Sequence, residues 1–222
     1  MDEHRRDSWM RRRLIRLTSW EKRAVNSPQH AERTVRTGLE LIEHVELPDR
    51  PECLELGCGQ GALARLLTER FHARVTATDF DPAQVALAES RLSDLRGRVI
   101  LRVADARDLP FEDARFDAVF SFGAMHHIAG GWRRVIAQVA HVLKPEGAFV
   151  FTDIYLADWV ARWIRRLRPL FDQIKHGPLA DALAENGFRI DHECRERHAC
   201  GLLASGRTVA RRRSPPPESV GE

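Results

Sequence analysis

Apolar and polar positions follow two different periods along the chain, and the two periods alternate from residue 52 onward. Short apolar runs rich in β-branched and aromatic residues are typical of buried strands, whereas apolar residues spaced three and four apart are typical of amphipathic helices. The short runs predict five strands, at 52–56, 73–79, 98–104, 116–122 and 147–154. Helical patterns lie between them, at 61–71, 81–95 and 131–143. This alternation predicts a parallel sheet covered by helices on both faces.

The pattern changes after the fifth strand. A helical segment rich in Trp and Arg at 155–177 is followed by a short helix at 178–187. Two further strands, 188–194 and 200–210, are separated by only a short turn, which predicts an antiparallel hairpin. The final residues, 211–222, are basic and then proline-rich, which predicts a disordered tail.

Length and composition favour one domain with appendages. The chain has 222 residues, 43% of them hydrophobic, which is enough for one sizeable core. We divide it into an N-terminal helical cap segment at 1–44, a domain at 45–210 with a helical insertion or lid at 155–177, and the tail at 211–222. We find neither a bilayer-spanning apolar run nor the features of a signal peptide, so we expect a cytoplasmic protein.

Net charge and cysteine spacing argue against two classes of function. The formal net charge of +3 is too small to predict nucleic-acid binding. The four cysteines, Cys53, Cys58, Cys194 and Cys200, are widely spaced and form no CxxC pair. We therefore expect no zinc site, no other metal and no disulfide framework.

The most informative short stretch is ELGCGQG, residues 55–61, between the first strand and the first helix. Glycines permit positive φ angles and let a ligand lie against bare backbone, with the amides of the following helix facing it. The turn therefore predicts a ligand at the carboxyl edge of the sheet. It does not identify the ligand, because the dinucleotide fingerprint G-x-G-x-x-G/A also fits Gly57, Gly59 and Ala62, with Asp79 at the spacing of a ribose-binding acid.

Three further stretches narrow the choice: ATDFDPAQVALAES at 77–90, VADARDLPFEDARFDAVFSFGAMHHI at 103–128 and VLKPEGAFVFTD at 142–153. Together with the glycine turn, they resemble class I S-adenosylmethionine-dependent methyltransferases, and among these the branch that contains the ubiquinone/menaquinone C-methyltransferases and many small-molecule O- and N-methyltransferases. The resemblance extends over roughly residues 45–210. It implies an α/β fold with a Rossmann-like, doubly wound sheet of seven strands, the last of them antiparallel.

The resemblance also implies that S-adenosyl-L-methionine is the cofactor. Asp79 would accept hydrogen bonds from both ribose hydroxyls, and Asp105 with the Ala106 amide would bind the adenine edge. The full set of implied cofactor-binding residues is Glu55, Gly57, Cys58, Gly59, Gly61, Asp79, Phe80, Asp105, Ala106, Ser121 and Phe122.

The implied reaction is an in-line transfer of a methyl group to a small-molecule acceptor, which mainly requires alignment and exclusion of water. A hydroxyl or acidic carbon acceptor would be helped by a general base, and His126 and His127 are placed for it after the fourth strand. We prefer His126, with Asp153 as its orienting partner. The alternative is that these groups only shape the pocket or bond to the backbone.

The acceptor is less well defined. Segments 8–23 and 158–171 combine Trp, aliphatic residues and Arg at helical spacing. Such segments can lie on an anionic membrane surface as a peripheral contact, cover a lipophilic acceptor, or form ordinary surface helices with inward-facing tryptophans. The sequence leaves open these arrangements, the oligomeric state and the choice among O-, N- and C-methylation.

Two other functions fit part of the sequence. An NAD-dependent oxidoreductase could use the same glycine turn, but it would need a substrate domain and would leave Asp105 and His126 without a role. A catalytically silent, adenosylmethionine-binding scaffold could keep the same fold, but the intact glycine turn and the two cofactor acids, Asp79 and Asp105, argue against silence. We predict a methyltransferase of a small acceptor.

Overall fold

The computed structural model describes residues 19–128, 131–156, 176–197 and 203–214. Among these, no helix is long and apolar enough to cross a membrane. Most of the first Trp- and Arg-rich segment, up to residue 18, and all of the second, 158–171, lie outside the described residues. The lid and the peripheral membrane contact therefore stay predictions.

Every strand predicted from the apolar runs is present, and so are the predicted helices at 61–71, 81–95, 131–143 and 178–187, with shifted bounds. Residues 155 and 156 of the predicted helical segment 155–177 belong to the fifth strand, and residues 157–175 lie outside the described residues. The strands are β1 Glu52–Leu56, β2 Arg74–Asp79, β3 Val99–Val103, β4 Phe116–Phe122, β5 Leu143–Leu156, β6 Phe188–Arg197 and β7 Leu203–Arg212. The helices are α1 Ser19–Val25, α2 Pro28–Ile42, α3 Ala62–Arg70, α4 Pro82–Arg91, α5 Trp132–Val142 and α6 His176–Glu185, with short 3₁₀ helices at Ser93–Leu95 and Met125–His127.

The strands form one seven-stranded sheet in the order β3-β2-β1-β4-β5-β7-β6. Strands β1 to β5 run parallel, whereas β7 is antiparallel to both β5 and β6. The order reverses at β1 and β4, which is where a doubly wound sheet leaves a crevice at the carboxyl ends of its strands. The predicted α/β class, sheet and antiparallel hairpin are confirmed.

Two apolar clusters hold helices to the two faces of the sheet. On one face α2, α3 and α4 pack through residues such as Leu41, Leu63 and Ala88. On the other, α5 and α6 pack through residues such as Val139 and Leu183. Burial of this apolar surface provides the main driving force for the layered arrangement.

The C-terminal boundary differs from the prediction. Strand β7 continues to Arg212, and Ser214 then donates hydrogen bonds from its N–H and Oγ to Glu146 Oε1, both at 2.9 Å. The arginines were interpreted as the start of a basic tail, but Arg211 Nε donates to Asp191 Oδ2 at 2.9 Å within the hairpin. The ordered chain therefore extends past residue 210.

Candidate functional site

A cavity lies at the carboxyl ends of β1, β2 and β4, where the glycine turn leaves β1. Ten of the eleven predicted cofactor residues line it. These ten are Glu55, Gly57, Cys58, Gly59, Asp79, Phe80, Asp105, Ala106, Ser121 and Phe122. The sheet thus brings together residues that are up to 67 positions apart in the chain, between Glu55 and Phe122.

The three glycines of the turn have different roles. All have positive φ angles, 72° at Gly57, 50° at Gly59 and 84° at Gly61. A Cβ on Gly57 would lie 2.5 Å from the Cβ of Ala124, and one on Gly61 would lie 2.6 Å from Leu92 Cδ1, whereas one on Gly59 would meet nothing within 4 Å. Only Gly59 therefore leaves open space for a ligand.

Gly61 is the one predicted cofactor residue that does not line the cavity. It is the N-cap of α3, and its missing side chain allows α4 to pack against the start of that helix. The expectation of a cofactor contact at Gly61 is not matched by its position, because its α-carbon faces protein. Glycine spacing alone does not distinguish packing from ligand contact.

Asp79 connects the end of β2 to the glycine turn. Its Oδ2 accepts the Gly59 N–H at 3.0 Å, and its Oδ1 accepts the Asp81 N–H at 2.9 Å. Burial raises the pKa of Asp79, while these two backbone bonds oppose the rise. A carboxylate offers about four acceptor sites, so two remain for a ligand in the cavity.

Glu55 is a buried carboxyl group on the cavity wall. Burial, and secondarily the negative charge of Asp79, raise the pKa of Glu55 to about 8. Within the described structure, Glu55 Oε2 has no hydrogen-bond partner, and neither does the buried Ser121 Oγ. Buried polar atoms normally have partners, so these two atoms indicate a wall built for a polar ligand.

Asp105 makes a contact that the sequence analysis did not anticipate. Arg107 Nη2 lies 2.6 Å from Asp105 Oδ2, and Arg107 Nε donates to Oδ1 at 3.0 Å. Although burial opposes ionisation, these hydrogen bonds lower the pKa of Asp105. Asp105 therefore lines the cavity as a fixed, ionised carboxylate.

The predicted pair of His126 and Asp153 is present as a contact. His126 Nδ1 lies 2.6 Å from Asp153 Oδ1, and the His126 N–H donates to Asp153 Oδ2 at 3.1 Å. However, His127 lines the cavity and His126 is not among the lining residues. The pair fixes the 3₁₀ helix Met125–His127 to β5, and this placement presents His127 to the cavity.

The individual residues with which the N-terminal helices line the cavity were not predicted. Val25, His30 and Thr34 line the same cavity as the glycine turn. The side chain of Gln60 donates to the carbonyl of Val25 at 3.1 Å and to that of Ser27 at 3.2 Å. The only sequence signal for this contact was the glutamine Gln60 between two glycines of the turn. It could not identify the partners, which are more than 30 residues away in the chain.

Two further contacts attach this N-terminal wall to the start of α4. Asn26 Nδ2 donates to Gln84 Oε1 at 3.0 Å, and Lys22 forms an ion pair with Asp81. Asp81 also caps α4, accepting the Ala83 N–H at 3.0 Å. The N-terminal wall, the glycine turn and α4 are thus joined by polar contacts around one opening.

Comparison with known proteins identifies the domain type. A family profile described as "Methyltransferase domain" matches residues 53–147, which include β1 to the start of β5. The matched range contains every predicted cofactor residue. Among the described residues, no group of three or more His, Cys, Asp or Glu side chains is arranged to hold a metal ion.

Two curated relatives match part of the chain. The 27-O-demethylrifamycin SV methyltransferase of Amycolatopsis mediterranei is 34% identical over 127 residues, which cover 56% of this chain and 46% of the relative. Phthiotriol/phenolphthiotriol dimycocerosates methyltransferase 1 of Mycobacterium ulcerans is 37% identical over 121 residues, covering 54% and 43% respectively. The chain therefore spans less than half the length of these two relatives.

The fold is shared with a solved methyltransferase. The geranyl diphosphate C-methyltransferase from Streptomyces coelicolor A3(2), solved with Mg²⁺, geranyl diphosphate and S-adenosyl-L-homocysteine, superposes with a TM-score of 0.67. The two chains are 15% identical, and the match covers 85% of this chain and 87% of the other. At this identity the likeness concerns the fold alone. Residues 53–147 are therefore similar in sequence to a methyltransferase domain, and the chain shares the fold of a solved methyltransferase.

Proposed function

We propose that the protein is an S-adenosylmethionine-dependent methyltransferase that acts on a small, lipophilic acceptor. The observation that carries this proposal is the composition of the cavity at the carboxyl edge of the sheet. It combines open backbone at Gly59 with three carboxyl groups, those of Glu55, Asp79 and Asp105. Acidic groups around bare backbone suit a cofactor that carries positive charge on sulfur and nitrogen.

The residues present fit this cofactor. When bound, S-adenosylmethionine supplies a methyl group attached to a positively charged sulfur, which is already an activated leaving group. Glu55 Oε2 and Ser121 Oγ, both buried without partners, would form hydrogen bonds to its polar groups. The free acceptor sites of Asp79 would bind the ribose hydroxyls, and Asp105 with the Ala106 amide would bind adenine. The chain would thereby orient the cofactor and exclude water.

Support for a lipophilic acceptor comes from the apolar part of the wall. Val25, Phe122 and Ile128 line the cavity beside the acidic part. The names of the two relatives point in the same direction, since they describe methylation of a rifamycin and of phthiotriols. We also propose that the protein belongs to the branch that contains the ubiquinone/menaquinone C-methyltransferases. We further propose a cytoplasmic location, with peripheral membrane contact through the Trp- and Arg-rich segments.

A ligand comparison tests the choice of cofactor. We expect S-adenosylhomocysteine and S-adenosylmethionine to raise the melting temperature, because a ligand at 100 times its Kd stabilises the native state by about 2.7 kcal/mol. NAD should produce no shift at the same concentration, since the matched domain is of the methyltransferase type. Differential scanning fluorimetry measures all three. A shift with NAD alone would contradict the proposal.

Mass spectrometry then separates an enzyme from a silent scaffold. Incubation with S-adenosylmethionine and a panel of hydroxylated, lipophilic compounds, including 27-O-demethylrifamycin SV, should give a product one methylene heavier. Binding of adenosylhomocysteine without transfer to any compound of the panel would favour the scaffold.

Replacement of one carboxylate oxygen tests the ribose site. Asp79→Asn should weaken adenosylhomocysteine binding by about 1.5–3 kcal/mol, the usual contribution of hydrogen bonds to a charged group. The amide retains one acceptor oxygen for the Gly59 N–H, so the turn should persist. Isothermal titration calorimetry measures the affinity, and Asp94→Asn on the exposed side of the protein serves as the matched control. Equal affinities in the two variants would refute the ribose assignment.

A further inference from the structure

The acidic residues that line the cavity come from one set of elements. The three carboxyl groups that line it belong to Glu55 in β1, Asp79 at the end of β2 and Asp105 just after β3. The lining residues from α1, α2 and the 3₁₀ helix region include no acid: they are Val25, His30, Thr34, His127 and Ile128. A cationic cofactor suits the first part, and an uncharged molecule suits the second.

The local structure of α2 directs His30 toward the second part. Ser27 caps the helix, and its Oγ accepts the His30 N–H at 3.2 Å, which fixes the backbone of His30 in the first turn. His30, Thr34 and Gly38 are four residues apart and therefore share one face of the helix. A Cβ on Gly38 would lie 3.0 Å from Leu63 Cδ1, so the glycine lets α2 lie close to α3 with this face beside the cavity.

The protonation state of His30 suits a proton acceptor. Two effects lower the pKa of His30 below 6.5: burial of the side chain, which is the larger, and the positive charge of Arg33. Its imidazole is therefore neutral at pH 7. The ionisable groups that line the rest of the cavity are Glu55, Cys58, Asp79, Asp105 and His127.

His126, which the sequence favoured, is less well placed for this role. Its Nδ1 is engaged by Asp153 at 2.6 Å, and its ring packs on that of His127 with centroids 3.9 Å apart. It is not among the residues that line the cavity, whereas His30 is. The structure thus separates a histidine that positions the 3₁₀ helix from one that lines the cavity.

Building on the proposed function, we propose that His30 is the general base for an uncharged, lipophilic acceptor that bears a hydroxyl group. The acceptor oxygen forms a bond to the transferred methyl carbon, and the bond between that carbon and sulfur breaks with its electron pair left on sulfur. The hydroxyl proton passes to an imidazole nitrogen of His30 and is later released to solvent. Thr34, one turn further along α2, lies on the same wall to hold the hydroxyl group.

A chromophoric phenol tests this proposal without knowledge of the natural acceptor. 4-Nitrophenol is titrated into protein saturated with adenosylhomocysteine, and the phenolate absorbance is recorded as a function of pH. We expect the wild-type complex to favour bound phenolate at a lower pH than free solution does, because the phenolate and the protonated His30 that proton transfer produces attract each other. His30→Gln should lose this signal and bind the probe roughly tenfold more weakly, or about 1.4 kcal/mol.

Controls separate this proposal from the function on which it rests. His30→Gln should bind adenosylhomocysteine with unchanged affinity, and His44→Gln, outside the cavity, should behave as the wild type in both measurements. No phenolate signal in the wild type, or a signal lost in His127→Gln but kept in His30→Gln, would overturn the role of His30. Wild-type protein that does not bind adenosylhomocysteine at all would instead overturn the proposed function.

Discussion

Gly59→Asn should abolish adenosylhomocysteine binding while leaving the protein folded. Asn tolerates the left-handed backbone that Gly59 adopts at φ 50° better than other residues with a side chain. The added side chain would meet no protein atom near its Cβ and would project into the cavity. Occupied ligand space should reduce affinity by at least roughly 100-fold, or about 2.8 kcal/mol, as measured by calorimetry.

The chain offers a matched control for this substitution. Gly97 also has a positive φ, 88°, and open space around its α-carbon, but it lies in an exposed turn away from the cavity. Gly97→Asn should therefore carry the same backbone cost with unchanged affinity. If both variants bound adenosylhomocysteine as tightly as the wild type, the backbone of Gly59 would not be a ligand contact.

The glycine turn also shows how far the sequence could predict the site. Its position between β1 and α3 followed from the change of period, because strands and helices alternate regularly in this chain. The turn therefore located the cavity. It did not show that Gly57 and Gly61 accommodate Ala124 and Leu92, because these neighbours belong to other elements of the fold.

The features of the site that the sequence did not predict are mainly contacts between residues that are far apart in the chain and follow no periodic pattern. Neither the bond from Gln60 to the α1–α2 connection nor the position of His30 on the wall leaves a periodic signature in the sequence. The fork of Arg107 on Asp105 spans only two residues, but an Asp-x-Arg pattern is too common to predict it.

The sequence also did not show how two adjacent residues, His126 and His127, are oriented. The sequence paired His126 with Asp153, and the two are in contact: His126 follows β4, and Asp153 lies toward the carboxyl end of the neighbouring β5. It could not decide which of His126 and His127 faces the cavity. Side chains in an irregular connection have no fixed alternation, so the answer depends on the 3₁₀ turn that the structure contains.

Glu55→Gln is expected to change both the pH dependence of stability and that of cofactor binding. In the folded protein the pKa of Glu55 is about 8, against 4.5 for an ordinary glutamate. Between these values the folded state holds a proton that the unfolded state has lost. The free energy of unfolding should therefore fall as pH rises from about 5 to 8, by at most about 1.4 kcal/mol per pH unit.

The glutamine variant should lack this loss of stability. Its neutral amide resembles the protonated carboxyl, so the two proteins should have similar stability at pH 5, and the variant should be more stable by a few kcal/mol above pH 8. Urea unfolding across this range measures the difference. Glu52→Gln is the matched control, because it makes the same exchange at the other end of β1, where the side chain is partly exposed.

Cofactor binding should favour the ionised form of Glu55, whereas folding favours the protonated form. The ammonium group of adenosylhomocysteine near Glu55 Oε2 would favour the ionised carboxylate, so binding should release up to about one proton at pH 7. Wild-type affinity should consequently rise with pH up to about 8, whereas the affinity of Glu55→Gln should be weaker and nearly independent of pH. Calorimetry in two buffers of different ionisation enthalpy counts the proton. A wild-type binding enthalpy that is the same in both buffers would mean that Glu55 does not meet the ammonium group, and the buried carboxyl would then require a different partner.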